Sequence, residues 1–246
     1  MKKWGSFLEY AGLETVEDEK TKELKEVFSG SYSGVDGGDI NAEYWFVGME
    51  WSDYDDIKDD YDYLYNRWRK VEEFSDDVDI KNWDLENKLD KLYQKLPNCV
   101  SGKKIFQKNS NSFKLNLLPL PFANTSDDHD NWQQTHLTEA TGFASFDEYK
   151  KKVLPARQKL FQELLQRSKK AKTIFCFGTT YKEGFLEVLV GNSKLRADNE
   201  GKLPCKASVF VYDIKVNPQI KRIIITYFPY YFTDKDWKKL AELAKK

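Results

Sequence analysis

The stretch Tyr44-Trp45-Phe46-Val47-Gly48-Met49-Glu50 decides the fold class of this chain. Its first four residues are aromatic or β-branched and a glycine follows them directly, a pattern that predicts a buried strand ending in a sharp turn. The strands predicted from this and similar apolar runs are residues 44–47, 113–118, 173–177 and 222–226. Continuous apolar runs are typical of strands buried on both faces, so we expect these four to form one parallel sheet.

Helical patterns separate the predicted strands. Residues 147–170 form a long amphipathic pattern, and the pair Thr233-Asp234 is typical of the cap of a last helix. Residues 193–215 are interpreted as a hairpin whose turn is residues 198–201.

The alternation of strands and helices predicts an α/β fold. We expect a single three-layer α/β/α domain over residues 1–246, with a central, mainly parallel four-stranded sheet. The acidic residues at about 52–112 are interpreted as a helical insertion in that domain.

Length and composition exclude several classes of protein. The chain has 246 residues, enough for one full-sized core, and its aromatic content of 15% argues against disorder. No apolar run approaches the roughly 20 residues that a membrane helix needs, so we expect no membrane partner. Three cysteines far apart in the sequence form neither a disulfide framework nor a CxxC metal site. A cytoplasmic protein without a metal or a cofactor is the expectation.

The net charge of −1 conceals an asymmetry between the two halves of the chain. Residues 1–100 carry 13 Lys and Arg against 25 Asp and Glu, and residues 101–246 carry 26 against 15. Such an asymmetry indicates either a nucleic-acid face or two halves that attract each other. The acidic region 52–96 is interpreted as a solvated face, as a strip that repels DNA, or as a docking surface for a protein partner.

The basic charge concentrates in residues 147–172, where nine Lys and Arg stand against three acids. Phosphate contacts supply most non-specific affinity for nucleic acid, which makes Lys150, Lys151 and Lys152 candidate DNA-phosphate contacts. A solvated helix face explains the same residues equally well.

The ends of the predicted strands carry the candidate site residues, because ligands collect at the carboxyl ends of parallel strands. Glu50 follows the first strand, where its carboxylate either activates a water or is a solvated or N-capping residue. Asn116 is an amide in an apolar strand; it either reads the edge of a nucleobase or is a satisfied core residue. Phe228 and Tyr230 follow the last strand and either stack on bases or belong to the core. With Trp51, which follows Glu50, we expect them to line an aromatic base-binding cleft.

In their order along the chain, these loops resemble the uracil-DNA glycosylase superfamily. In that family a first strand ends in a glycine-containing motif such as GMNPG, a second carries a base-reading Asn, and a late strand ends in a His-Pro-Ser motif. The matching stretches here are residues 46–50, 115–118 and 224–230, with residues 172–178 similar to the family's intervening strand. The resemblance covers roughly residues 40–245 apart from the insertion.

The resemblance implies roles for individual residues. Gly48 and Met49 would cradle a base through their backbone, Glu50 would take the place of the water-activating residue, and Asn116 would read the base. The chain departs from the family pattern at three positions: Trp51 replaces the Pro of the first motif, and Phe228 and Tyr230 replace the His and Ser of the last. A phenyl ring donates no hydrogen bond to a departing base.

Three hypotheses follow from these residues. The first is a divergent DNA glycosylase of a DNA-repair type, a hydrolase that binds a base flipped out of DNA and cleaves its N-glycosidic bond. The second is a binding module of the same fold that recognises a nucleotide or a modified base without chemistry. The third is an interaction protein that uses the acidic region 52–96.

Overall fold

The structure is a computed structural model that describes residues 35–49, 76, 78, 80, 84–118, 145–216 and 219–245. The chain divides into two compact units. One unit comprises residues 1–34, 50–73 and 118–161, and the other comprises residues 35–49, 74–117 and 162–246. The second unit holds every strand described below. The expectation of a single domain with an insertion at about 52–112 stays a prediction.

One mixed sheet dominates the second unit. Its strands are β1 (Gly37–Gly38), β2 (Tyr44–Gly48), β3 (Ser112–Asn116), β4 (Thr173–Phe177), β5 (Asn199–Lys202), β6 (Ser208–Val216) and β7 (Gln219–Thr226). In the part of the chain that the structure describes, the helices of either unit are α1 (Asp84–Tyr93), α2 (Phe146–Arg167), α3 (Lys182–Val190) and α4 (Asp234–Ala244), and 3-10 turns cover Thr179–Tyr181 and Pro229–Tyr231. The strand order across the sheet is β1-β3-β2-β4-β7-β6-β5.

The four strands predicted from the apolar runs form the centre of this sheet, and all of them are parallel. Strand β2 pairs with β3 on one side and with β4 on the other, and β4 pairs in turn with β7. The predicted α/β class and the parallel alignment of these four strands are therefore confirmed.

The prediction of a mainly parallel sheet of four strands is wrong. The described sheet has seven strands, because β1, β5 and β6 extend it through antiparallel pairs. Two of the added strands lack apolar runs: β1 is two glycines, and β5 is the exposed sequence Asn-Glu-Gly-Lys. The third, β6, lies almost entirely within the predicted hairpin. The predicted turn at residues 198–201 is also wrong. Residues 199–202 form strand β5, and the chain reverses at residues 203–207.

Helices α1 and α4 cover one face of the sheet, which we call the α1 face. Strand residues on this face include Phe46, Phe175 and Ile224, and they form one buried cluster with Leu92 of α1 and Trp237 of α4. The opposite face is buried as well, since Trp45, Val47, Ile174 and Cys176 are fully buried. Burial on both faces explains why β2 and β4 are apolar along almost their whole length.

Helix α4 begins where the sequence predicts its cap. Thr233 is the N-cap, and its side chain and backbone form a capping box with Asp236. The Asp236 carboxylate accepts the backbone N–H of Thr233 at 2.7 Å and that of Cys205 at 2.8 Å. Burial alone would raise the pKa of Asp236, but the hydrogen bond from the Thr233 hydroxyl, together with these two backbone N–H groups, lowers it below its ordinary value.

Candidate functional site

The carboxyl ends of the parallel strands bring several of the predicted site residues together. Gly48 at the end of β2 lies beside Asn116 at the end of β3, and the backbone N–H of Leu117 donates to the Gly48 carbonyl at 2.9 Å. From β2 the chain goes to β3 on one side and then to β4 on the other, so a topological switch point lies at β2 and β4. In open α/β sheets such an edge is where ligands bind.

Asn116 is the polar residue at the centre of this edge, and only 2% of its surface is exposed. Its Nδ2 donates to Oδ2 of Asp36 at 3.2 Å. A carboxylate only accepts hydrogen bonds, so the amide nitrogen has to face Asp36. The amide oxygen faces Gly48 instead: a Cβ added at Gly48 would lie 2.5 Å from Oδ1 of Asn116. Gly48 is therefore a glycine because the Asn116 amide fills the space of a side chain.

Behind Asn116 lies a buried charged cluster of Asp36, Lys114 and Glu86. The Lys114 ammonium forms ion pairs with Oδ2 of Asp36 and, at 2.9 Å, with Oε1 of Glu86. Burial alone would lower the pKa of Lys114, but the two carboxylates outweigh it and raise the pKa above its ordinary value. One cation between two anions leaves the cluster with a formal charge of −1, directly beneath the Asn116 amide.

Sequence reasoning missed all three members of this cluster. A signal was present in β3, where Ser112, Lys114 and Asn116 alternate with Phe113 and Leu115. Period-two alternation indicates a strand with one polar face. Asp36 and Glu86 carried no comparable signal, since a single carboxylate in a loop or on a helix is ordinary.

Met49 connects the end of β2 with the end of β4. Its Sδ lies 2.3 Å from the place where a Cβ of Gly178 would be. Gly178 has a φ of +128°, a backbone conformation that other residues rarely adopt. The Met49 side chain thus packs on the backbone of Gly178 at the switch point, and the predicted cradle of Gly48 and Met49 lies at the expected edge.

Phe228 and Tyr230 lie next to helix α1. Their rings stack with centroids 5.2 Å apart and planes at 26°, and Phe228 packs against the buried cluster of the α1 face. The Lys88 ammonium lies 4.8 Å above the Tyr230 ring. Burial, and then the carboxylates of Glu86 and Asp84, raise the pKa of the Tyr230 phenol above its ordinary value. Because Glu86 also belongs to the charged cluster, α1 connects this aromatic pair with the surroundings of Asn116.

The other predicted site residues are placed as follows. Glu50 and Trp51 lie outside the described residues, as do most of the acidic region and the side chain of Lys152. Lys150 in helix α2 pairs with Asp147 at 2.8 Å and lies over the Phe146 ring, and Lys151 is exposed. Both lysines belong to the first unit, and their role as phosphate contacts stays a prediction.

A cavity of about 520 Å³ lies elsewhere in the second unit, between the ends of α2 and α3 and strand β6. Its lining combines apolar residues such as Leu165 and Leu189 with charges of both signs. Of the acids, Asp213 is paired with Arg222 at 2.6 Å, and Asp198 accepts the backbone N–H of Asp213 at 2.7 Å. This lining selects no particular class of ligand, and none of the predicted site residues belongs to it.

No family model matches the chain, and no curated protein matches it. Among the described residues, no three His, Cys, Asp or Glu side chains are grouped so that they could hold a metal ion. Within the same part of the chain, no helix has both the length and the apolar character to cross a membrane. The resemblance to uracil-DNA glycosylases therefore stays a prediction from the motifs.

Proposed function

We propose that this protein is a divergent relative of the uracil-DNA glycosylases that binds a nucleobase at the carboxyl edge of its parallel strands. The observation that carries the proposal is the Asn116 amide, which is buried, held by Asp36 and turned toward the end of β2. An amide offers one acceptor and two donors, which suits the edge of a base. With this function we also propose the three-layer arrangement of that family.

The base would reach this edge only after it has left the helical stack. Inside a duplex the N-glycosidic bond is not accessible to an enzyme, so the proposed substrate is a base flipped from DNA. Gly48 and Met49 supply backbone at the strand end, and Tyr230 supplies an aromatic face next to α1. In this proposal Glu50 positions the water that attacks the bond.

Phe228 favours a second candidate function, a binding module without chemistry. The family's His stabilises negative charge on the departing base, and the phenyl ring of Phe228 is instead packed on the buried cluster of the α1 face. A protein with this site could recognise a nucleotide or a modified base and release it unchanged.

Binding is tested with oligonucleotides that each carry one modified base, measured by fluorescence anisotropy against the unmodified oligonucleotide. We expect Asn116→Ala to remove discrimination between bases, because one good base-edge contact is worth about 1–3 kcal/mol. Asn192→Ala is the matched control, since Asn192 is an exposed asparagine after helix α3. Equal discrimination in the Asn116 variant and the control would overturn the proposal.

Turnover is tested with the same oligonucleotides by following the appearance of abasic sites. Glu50→Gln keeps the shape of the side chain but cannot accept a proton, so it should bind as the parent does and lose cleavage. Cleavage by the parent that survives in this variant would remove Glu50 from the mechanism. Binding without cleavage in the parent would select the second candidate.

A further inference from the structure

We propose that residues 227–232, which we call the tyrosine loop, bind single-stranded nucleic acid by stacking on unpaired bases. Three tyrosines of this loop are exposed: Tyr227 is 53% exposed, Tyr230 50% and Tyr231 84%. Such a concentration of exposed aromatic surface marks an interaction site, because single exposed side chains are normal but groups of large ones are not. A base of any sequence has a π-face that can stack on such rings.

The tyrosine loop is held in place by its own buried residues. Pro229 is buried and begins the 3-10 turn, while Phe228 stacks on Tyr230. At the other end Phe232 packs edge-on against Trp237 of α4, with ring centroids 5.1 Å apart. Aromatic side chains that are already ordered lose little entropy when a ligand binds, which favours stacking as the mode of contact.

The charges around the loop favour a polyanion as the partner. Helix α1 contacts the 3-10 turn and places Lys88 over the Tyr230 ring, with the exposed Lys91 one turn further along the helix. Helix α4 follows the loop directly and adds the exposed Lys235 and Lys238. Of the nearby acids, Glu86 is paired with Lys114 at 2.9 Å, Asp234 is paired with Lys95 at 2.8 Å, and Asp84 is exposed in the first turn of α1.

Lysines next to stacking rings suit nucleic acid better than protein. Lysine is depleted in protein interfaces, whereas phosphate contacts from lysine combined with aromatic stacking are the common mode of binding single strands. A duplex hides the faces of its bases, so the loop should select single strands over duplex.

This inference rests on the proposed function. A base bound at Asn116 is part of a nucleic-acid strand, and the nucleotides on either side of it must lie against the protein surface nearby. The loop continues directly from β7, whose end Thr226 pairs with Phe177 of β4 at the same edge of the sheet as Gly48 and Asn116. The nucleotides that flank the bound base would therefore stack on Tyr227 and Tyr231. Tyr230 is left out of the test because the proposed function already places it beside the base.

The test measures the affinity of the full chain for a labelled oligothymidylate of about 12 nucleotides by fluorescence anisotropy at low salt. The double variant Tyr227→Ala, Tyr231→Ala should bind roughly tenfold more weakly or worse, because two stacking faces are lost. The double variant Tyr227→Phe, Tyr231→Phe keeps both rings and should bind as the parent does. Both side chains of the pair are exposed, so equal thermal unfolding midpoints serve as the control for folding.

Two results would overturn the inference: unchanged affinity in the alanine double variant, or a duplex of the same length bound as tightly as the single strand. A parallel titration with free nucleosides separates it from the proposed function. Nucleoside binding should depend on Asn116 and not on Tyr227 or Tyr231. Loss of oligothymidylate affinity in the alanine variant, together with no nucleoside binding by the parent, would refute the base site and leave the tyrosine loop as a strand-binding surface.

Discussion

Two lysines are buried in the same sheet, and their surroundings are opposite. Lys114 in β3 is 8% exposed and lies between two carboxylates, whereas Lys221 in β7 is 1% exposed and donates to the backbone carbonyl of Ala171 at 2.9 Å. Among the described residues Lys221 makes no ion pair. The pKa of Lys114 is raised by its partners, and burial lowers the pKa of Lys221. The first lysine is held as a cation, and the second is pushed toward its neutral form.

The difference teaches that this fold does not need buried carboxylates in order to bury a lysine. Lys221 uses a single carbonyl, while the region of Lys114 buries three formal charges. Buried ion pairs contribute little net stability, because the desolvation of the ions offsets their attraction. What distinguishes the Lys114 region is that Asp36 also holds the amide of Asn116. We infer that the charged cluster serves the position of Asn116 more than the stability of the fold.

The largest effect that tests this comparison is expected from Lys114→Met. The substitution leaves Asp36 and Glu86 buried without a cation, which should lower the free energy of unfolding by about 3–5 kcal/mol. Chemical denaturation at pH 7 measures the loss.

A triple variant separates charge from packing at the same place. Asp36→Asn, Glu86→Leu and Lys114→Met together remove all three charges at similar volume and leave an amide to accept from Asn116. Replacing a buried ion group by apolar residues is often neutral or stabilising, so stability should return to that of the parent or above. A triple variant as unstable as Lys114→Met alone would show that the cluster stabilises the fold itself.

A smaller effect is expected from Gly48→Ala, which tests whether Asn116 is held where the structure places it. The new Cβ would meet Oδ1 of Asn116 at 2.5 Å, so the variant should lose about 1–3 kcal/mol of stability. In an Asn116→Ala background the obstacle is gone, and the same substitution should cost much less. The double-mutant cycle measures a coupling of about 0.5–3 kcal/mol.

An additive cycle would contradict this placement of the amide. Gly184→Ala is the control for adding a methyl group in a tight place, since its Cβ would lie 3.2 Å from the flexible side chain of Leu117. Gly184 lies in helix α3, where alanine is the better helix former. This control should therefore be close to neutral and independent of Asn116.

The central strands could be predicted because buried strands consist largely of apolar residues, which are visible in the sequence. Strands β2 and β4 are apolar along their length, and such runs identify a strand without any knowledge of its neighbours. Two of the outer strands, β1 and β5, could not be predicted in the same way. Strand β5 is exposed throughout and exists only because its backbone pairs with β6, and β1 is two residues beside β3. Their pattern is set by tertiary contacts.

The candidate site divides along the same line. Gly48, Met49 and Asn116 were predictable because each stands at the end of a recognisable strand. Asp36 was not, since it is 80 residues from Asn116 in the sequence and meets it only through the fold. The tyrosines of the tyrosine loop can be read from the sequence, but their exposure cannot be predicted from it. An aromatic run of this kind is equally compatible with a buried core.

The smallest effect is expected from Lys221→Met. At pH 7 the variant loses one hydrogen bond but no longer has to bury a charge, so its stability should stay within about 1 kcal/mol of the parent.

The pH dependence of the stability difference between the parent and Lys221→Met is more informative. Because the pKa of Lys221 is lowered by burial, the penalty on the folded parent is complete below that pKa. This penalty is relieved as the pH rises to about 10.4, where lysine loses its proton in an unfolded chain. The free energy of unfolding of the parent should therefore increase relative to that of the variant as the pH rises toward about 10.4. For Lys114 we expect the opposite pH dependence, because its pKa is raised in the folded state. Its contribution to stability is complete below about 10.4 and is lost as the pH rises through the pKa of the folded state. A difference between parent and Lys221→Met that is flat as the pH rises toward about 10.4 would mean that the ammonium of Lys221 reaches water, and the contrast between the two lysines would then disappear.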